Sequence, residues 1–177
     1  GGGGGGGGGR ATTLDDAVAL KVALATAKRA GLGSESYSKW DSAIADRERE
    51  LADGLIRSET RIVLHRCGLG PVLDALRRVD AVFLDGQTLS SHPGLTPKNV
   101  EGAVKEFYAS LYSPPLPTYE RIIKDPVLRK YARGRTAEGV ADAYGELYRA
   151  VTGEKGGYDD VSFLGHDPGQ VRTLLSL

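Results

Sequence analysis

Apolar residues recur along this chain at the three- and four-residue spacing of an α-helix, and nowhere with the sustained alternation of a strand. Leu14, Val18, Val22 and Ala25 share one side of a first helical segment, while Leu20 and Leu24 lie nearly opposite. A helix apolar on two sides is normally sandwiched between neighbours, and in a fragment one of those neighbours can be missing. Thr13 with Asp16 forms a capping-box pattern at its start, Lys28 and Arg29 suit the negative end of its dipole, and Gly31 is placed to cap it. Ser38 with Asp41 repeats the start signal. Trp40, Ile44, Leu51, Leu55 and Ile62 then fall within a stripe of about 60° at 100° per residue, which predicts that all five face protein. Asp46, Arg47, Glu48, Arg49 and Glu50 read as a solvated outer face.

This second helix is predicted to run to about Cys67, where Gly68, Gly70 and Pro71 interrupt it. Pro71 suits the first residue of a third helix carrying Val72, Leu76, Val79 and Phe83, because its missing N–H is not needed there. Residues 84–96 form a loop, and Thr96-Pro97 opens a helix with Val100, Val104, Phe107, Tyr108 and Leu111 on one face. Ser113-Pro114-Pro115-Leu116-Pro117 cannot continue it. Thr118 can cap a short turn holding Tyr119, Ile122 and Ile123. Asp125-Pro126 starts another helix, expected to be weakened near Gly134 and Gly139, with a stripe of Val140, Tyr144, Leu147, Tyr148 and Val151 that ends at Gly153, Gly156 and Gly157. Asp167-Pro168-Gly169-Gln170 then combines an N-cap, an N1 proline and a capping-box Gln ahead of Val171, Leu174 and Leu175. The fold class is all-α: a bundle or rod of about six or seven helices. Residues 1–12 are expected to be a disordered Gly-rich segment, and residues 13–177 one helical domain.

Composition narrows the function. Twenty-three basic and 23 acidic side chains cancel, which argues against a nucleic-acid binder working by bulk charge. One Cys excludes a disulfide framework and a multi-thiolate zinc site. No apolar run approaches the roughly 20 residues of a membrane-spanning helix, and the start has no signal-peptide pattern. The nine leading glycines lack the preceding strand and following Lys-Ser/Thr of a phosphate-binding loop. The absence of Met leads to the expectation that the chain is part of a longer product.

Candidate chemistry is sparse. His65 and Cys67 are two apart on a helix, so their side chains diverge, and a buried Cys beside a partly exposed His is the simpler reading. His92 and His166 complete no metal spacing, and Asp159, Asp160 and Asp167 do not form a calcium loop. Glu138, Asp142 and Glu146 share a helix face that reads as solvated, as does the basic cluster Arg129, Lys130, Arg133 and Arg135, which could otherwise touch phosphate or anionic lipid. The residues assign no catalytic, cofactor-binding or metal role. Val171, Leu174 and Leu175 are the candidate docking residues, because a helix this short needs something to bury against.

Five stretches nevertheless resemble a known family. Thr136 to Val151, with Gly157-Tyr158-Asp159-Asp160 and Pro168 to Ser176, is similar to the tail of the sixth subunit of the conserved oligomeric Golgi complex. Asp53 to Glu59 and Val63 to Leu69 fit the same subunit in the same order, so the resemblance covers roughly residues 40–177. It implies a non-catalytic scaffold subunit of a vesicle tether, peripheral on the cytosolic face of the Golgi membrane. Such a subunit acts in intra-Golgi retrograde transport and so in glycosylation. The partners it implies are the fifth, seventh and eighth subunits, with membrane-fusion proteins and small GTPases. A generic helical adaptor, or a subunit of a related tether, is the alternative. A small enzyme using His65 and Cys67 is a remoter one.

Overall fold

A computed structural model describes residues 14–29, 35–79, 86–112 and 119–175. Among them are seven α-helices, two short 3-10 turns and no strand, as the helical periodicity predicts. The helices are α1 (Leu14–Arg29), α2 (Glu35–Arg66), α3 (Leu69–Arg78), α4 (Pro97–Leu111), α5 (Tyr119–Ile122), α6 (Pro126–Thr152) and α7 (Pro168–Leu174). The chain divides into two compact units, with the division inside α2 between Leu55 and Ile56. The capping roles of Thr13, Gly31 and Thr118, the proline run 113–117, Phe83 and the expected disorder of 1–12 lie outside the described residues.

In the first unit, α1 is attached to α2 by charge. Lys21 reaches Glu48 at 2.9 Å, and Lys28 pairs with Asp41. Of the apolar positions of α1, Leu20 and Val22 are exposed and Leu24 and Ala25 half-buried, while the side chains of Leu14 and Val18 lie outside the described ones. Ser38 is inside α2, not at its start, because the helix already begins at Glu35. Asp41 is engaged by Lys28 instead of by a capping box.

The expected stripe of α2 also needs correction. Ile44 is buried and Leu51 and Leu55 are half-buried, but Trp40 is 60% exposed and Ile62 38%. The covered line is Ile44, Glu48, Ala52 and Ile56, at steps of four. Four residues turn a helix by about 40° more than a full circle, so a line at that spacing winds around the axis, where a fixed-angle stripe does not. Ala52 is wholly buried, and Glu48, expected to be solvated, is buried with Lys21 as its partner.

The second unit has a continuous core. It gathers Leu64, Cys67, Leu69, Val72 and Leu73 with Val100, Val104 and Phe107 of α4, and Tyr144, Leu147 and Val151 of α6. Gly68 makes the α2–α3 corner at φ 84, a left-handed conformation that glycine adopts without steric cost. A Cβ there would lie 2.6 Å from Glu106. The corner places the start of α3 at Leu69, so Pro71 is the third residue of the helix and not its first. Thr96 caps α4 through Asn99 N–H, and the expected α4 stripe is buried or half-buried. Of the short α5 turn, Tyr119 and Ile123 are buried while Ile122 is exposed. Asp125 caps α6 by accepting from the N–H groups of Val127 and Leu128.

Helix α6 runs unbroken through Gly134 and Gly139. At Gly139 the missing side chain has a use: a Cβ would stand 2.8 Å from the Thr60 methyl, so α2 and α6 approach closely there. Beyond α6, the Leu89 and Ser90 N–H groups donate to the carbonyls of Lys155 and Gly156. Tyr158 Oη donates to Leu95 O at 2.6 Å, and burial pushes that phenol up to about 12. The loop 86–96 is thereby bound to the turn that ends α6.

Candidate functional site

Helix α7 is only seven residues long and cannot be stable by itself. Its start is fixed by the predicted capping box. Gln170 N–H donates to Asp167 Oδ1 at 2.8 Å, and Asp167 N–H donates to Gln170 Oε1 at 2.9 Å. Such a cap contributes about 1 kcal/mol. Val171 is fully buried in the common core, while Arg172 forms an ion pair with Asp142 of α6. Burying Val171 contributes about 1.5–3 kcal/mol before entropy.

The segment before α7 is held by two phenols. Tyr144 Oη lies 2.6 Å from His166 O and 2.8 Å from Leu164 O. Tyr108 Oη bonds Leu164 O and lies 3.0 Å from Tyr144 Oη. Each phenol has one proton to donate, so both must stay protonated to serve these carbonyls. Burial, followed by the Tyr108 contact, raises the Tyr144 pKa well above the usual phenol range. Phe107 stacks on Tyr144 with ring centroids 5.4 Å apart, and His166 meets Tyr108 edge-on at the same separation.

The three candidate docking residues therefore divide. Val171 is used by the chain's own core, Leu175 packs partly against it, and Leu174 is 51% exposed. An open cleft of about 330 Å3 adjoins the latch, bordered by Tyr148, Val161, Ser162, Leu164, Gly165, His166, Asp167 and Gln170.

His65 and Cys67 are not brought together. Cys67 is buried, with Sγ directed at Leu64 O at 3.3 Å, and burial raises its pKa, the wrong direction for a nucleophile. His65 turns to Asp74 of α3, with Nε2 to Oδ2 at 3.2 Å, and its ring occupies the space beside Gly70. His92 Nδ1 accepts from Gly94 N–H. No group of three His, Cys, Asp or Glu is arranged for a metal among the described residues. No described helix is long and apolar enough to cross a membrane.

The carboxylate face of α6 does more than meet solvent. Glu138 pairs with Arg135 along the helix, Asp142 with Arg172 of α7, and Glu146 with Arg77 of α3 at 2.9 Å. The last two tie neighbouring helices together. The sequence reading missed these cross-links and the phenol latch. The available signal was Tyr108 and Tyr144 within otherwise apolar stripes, since a buried phenol must find a partner.

Fold and site thus define an all-α module of packed helices with a short terminal helix latched to the core. The family described as Conserved Oligomeric Golgi complex subunit 6, C-terminal, matches residues 20–175, and the chain belongs to that family. A relative from Arabidopsis thaliana, conserved oligomeric Golgi complex subunit 6, is 32% identical over 126 residues. That alignment covers 70% of this chain and 18% of the relative, so the chain corresponds to a small part of the relative's length. No solved structure matches.

Proposed function

We propose that the chain is a non-catalytic scaffold element of a Golgi vesicle-tethering complex, acting in intra-Golgi retrograde transport and so in glycosylation. The observation that carries this reading is the family match over residues 20–175, most of the described chain. On this reading the helical domain 13–177 contributes to assembly with the fifth, seventh and eighth subunits. Membrane-fusion proteins and small GTPases are further partners, and the protein associates peripherally with the cytosolic face of the Golgi membrane. Leu174, exposed beside buried Val171 and half-buried Leu175, is the part of α7 open to a partner.

Tagging the protein at its chromosomal locus and purifying it from its own cell tests the assignment. Co-purification of the other tether subunits, identified by mass spectrometry, is the expected result. Their absence, with the tagged protein intact and folded, overturns it. Leu174→Asp tests the docking role of α7. A half-exposed side chain outside the core should change stability by no more than about 0.5 kcal/mol. Recovery of a partner subunit should nevertheless fall. If subunit recovery and melting temperature both match the unmutated protein, α7 has no docking role.

A further inference from the structure

We propose that the corner formed by α5 and the first turns of α6 is a binding patch for an anionic lipid surface. The chain as a whole is neutral, yet residues 119–135 hold six cations against two carboxylates, a net of +4. Both carboxylates are occupied: Glu120 by Arg133, with contacts at 2.5 and 2.6 Å, and Asp125 by the N-terminal amides of α6. Arg135 is matched by Glu138. Arg121, Lys124, Arg129 and Lys130 are left with no carboxylate within ion-pair distance among the described residues. Lys124 Nζ donates to Arg121 O at 3.1 Å, and the Arg129 guanidinium donates to the carbonyls of Ile123 and Lys124. Those bonds shape the corner without cancelling charge.

Apolar side chains stand among these cations. Val127 is 77% exposed, and Ile122 and Tyr131 are exposed as well. On α6, Val127, Lys130 and Tyr131 lie within about 100° of one another, opposite buried Ala132 and Thr136. Cations around exposed aliphatic and aromatic groups suit the boundary of a bilayer, where headgroup charge and acyl chains are reached together. A phosphorylated or acidic protein segment is the competing occupant. It is better served by an Arg fork free for bidentate contact. Here Arg133 and Arg135 are committed to carboxylates and Arg129 to carbonyls, which leaves a single guanidinium, Arg121, beside two lysine point charges and apolar surface. The inference gives a physical means for the peripheral membrane association proposed above but does not depend on it. Vesicle binding is read with purified protein and tether assembly by co-purification, so either can fail alone.

The test is sedimentation of the full chain with vesicles. Binding is expected to equimolar phosphatidylcholine and phosphatidylserine, weakened by added salt, and not to phosphatidylcholine alone. Each Lys near an anionic surface is worth roughly fivefold in binding, so Lys124→Glu with Lys130→Glu should weaken it by at least about tenfold. Lys124→Gln with Lys130→Gln should give a smaller loss, and Val127→Ser a loss that persists when salt is varied. Circular dichroism should show the helices unchanged in all three. Equal binding to neutral vesicles, no binding to the anionic ones, or unchanged binding by the charge-reversed protein overturns the proposal. So does retention on immobilised polyglutamate without vesicle binding, which would assign the patch to an acidic protein.

Discussion

Residues 14–55 and residues 56–175 spend their apolar side chains differently. In the first stretch Leu20, Val22 and Trp40 are exposed, and α1 is attached to α2 by Lys21–Glu48 and Lys28–Asp41. In the second, Tyr119, Tyr144, Phe107, Leu69 and Leu73 are almost wholly buried, and the polar atoms among them are matched. Surface ion pairs contribute about 0–1 kcal/mol each, against about 1.5–3 kcal/mol for each large apolar side chain removed from water. The second unit therefore has the means to hold its own fold, whereas the described side-chain links between α1 and α2 are these two ion pairs.

The contrast is broken most directly by truncating one large aromatic on each side of it. Tyr144→Ala removes a ring stacked on Phe107 and the hydroxyl that holds the segment before α7, and should cost about 3–5 kcal/mol. Tyr144→Phe keeps the ring and removes the donor to His166 O, while Leu164 O keeps the Tyr108 hydroxyl, for about 0.5–1.5 kcal/mol. Trp40→Ala, by contrast, should fall within about 0.5 kcal/mol, as an exposed substitution does. Urea denaturation followed by circular dichroism measures all three. A cost at Trp40 equal to that at Tyr144 would mean that the first unit is packed as tightly as the second.

The same contrast explains what could be read from the sequence. The stripes of α4 and α6 were legible because large apolar residues at helical spacing coincide with the buried line, and the caps at Thr96, Asp125 and Asp167 are local chemistry. The α2 stripe predicted from spacing includes Trp40 and Ile62, yet size and hydrophobicity alone do not decide burial. The covered line instead uses Ala52 and the ion-paired Glu48, whose burial depends on a neighbouring helix and not on their own character. Pro71 and Ser38 were displaced as helix starts for a related reason: Gly68 sets one corner, and α2 begins before the other. At the candidate site, the short helix and its cap were legible. The division among Val171, Leu174 and Leu175 was not, since it depends on which side of α7 the core occupies.

Two glycines of α6 sharpen the comparison at smaller scale. Both were expected to weaken the helix. At Gly134 nothing lies within 4 Å of an added Cβ, so Gly134→Ala should stabilise by up to about 1 kcal/mol through helix propensity alone. At Gly139 the new methyl would meet Thr60, whose hydroxyl is held by Ile56 O at 2.8 Å. Overpacking there costs about 1–3 kcal/mol and should turn the gain into a net loss. Thr60→Ser removes the obstructing methyl and should recover the gain in the double variant. If Gly139→Ala alone stabilises as much as Gly134→Ala, α2 and α6 are not in close contact at this point.

The smallest effect concerns the Glu120–Arg133 ion pair. Arg133 hydrogen-bonds both oxygens of Glu120 and holds its carboxyl below the usual carboxylate range, with burial acting weakly the other way. A carboxyl with a lower pKa in the folded state than in the unfolded one releases its proton more readily on folding. Its contribution is therefore present above the unfolded carboxylate pKa and is lost as pH falls through the lower folded value. Solvent screens the pair, since the guanidinium is mostly exposed, so the contribution is small and should shrink further with added salt. The melting-temperature difference between the unmutated protein and Glu120→Gln should thus be widest near neutral pH and narrow towards zero below the carboxylate range. A difference that stays constant through that range would show that Glu120 stabilises the α5–α6 corner by packing and not by its charge.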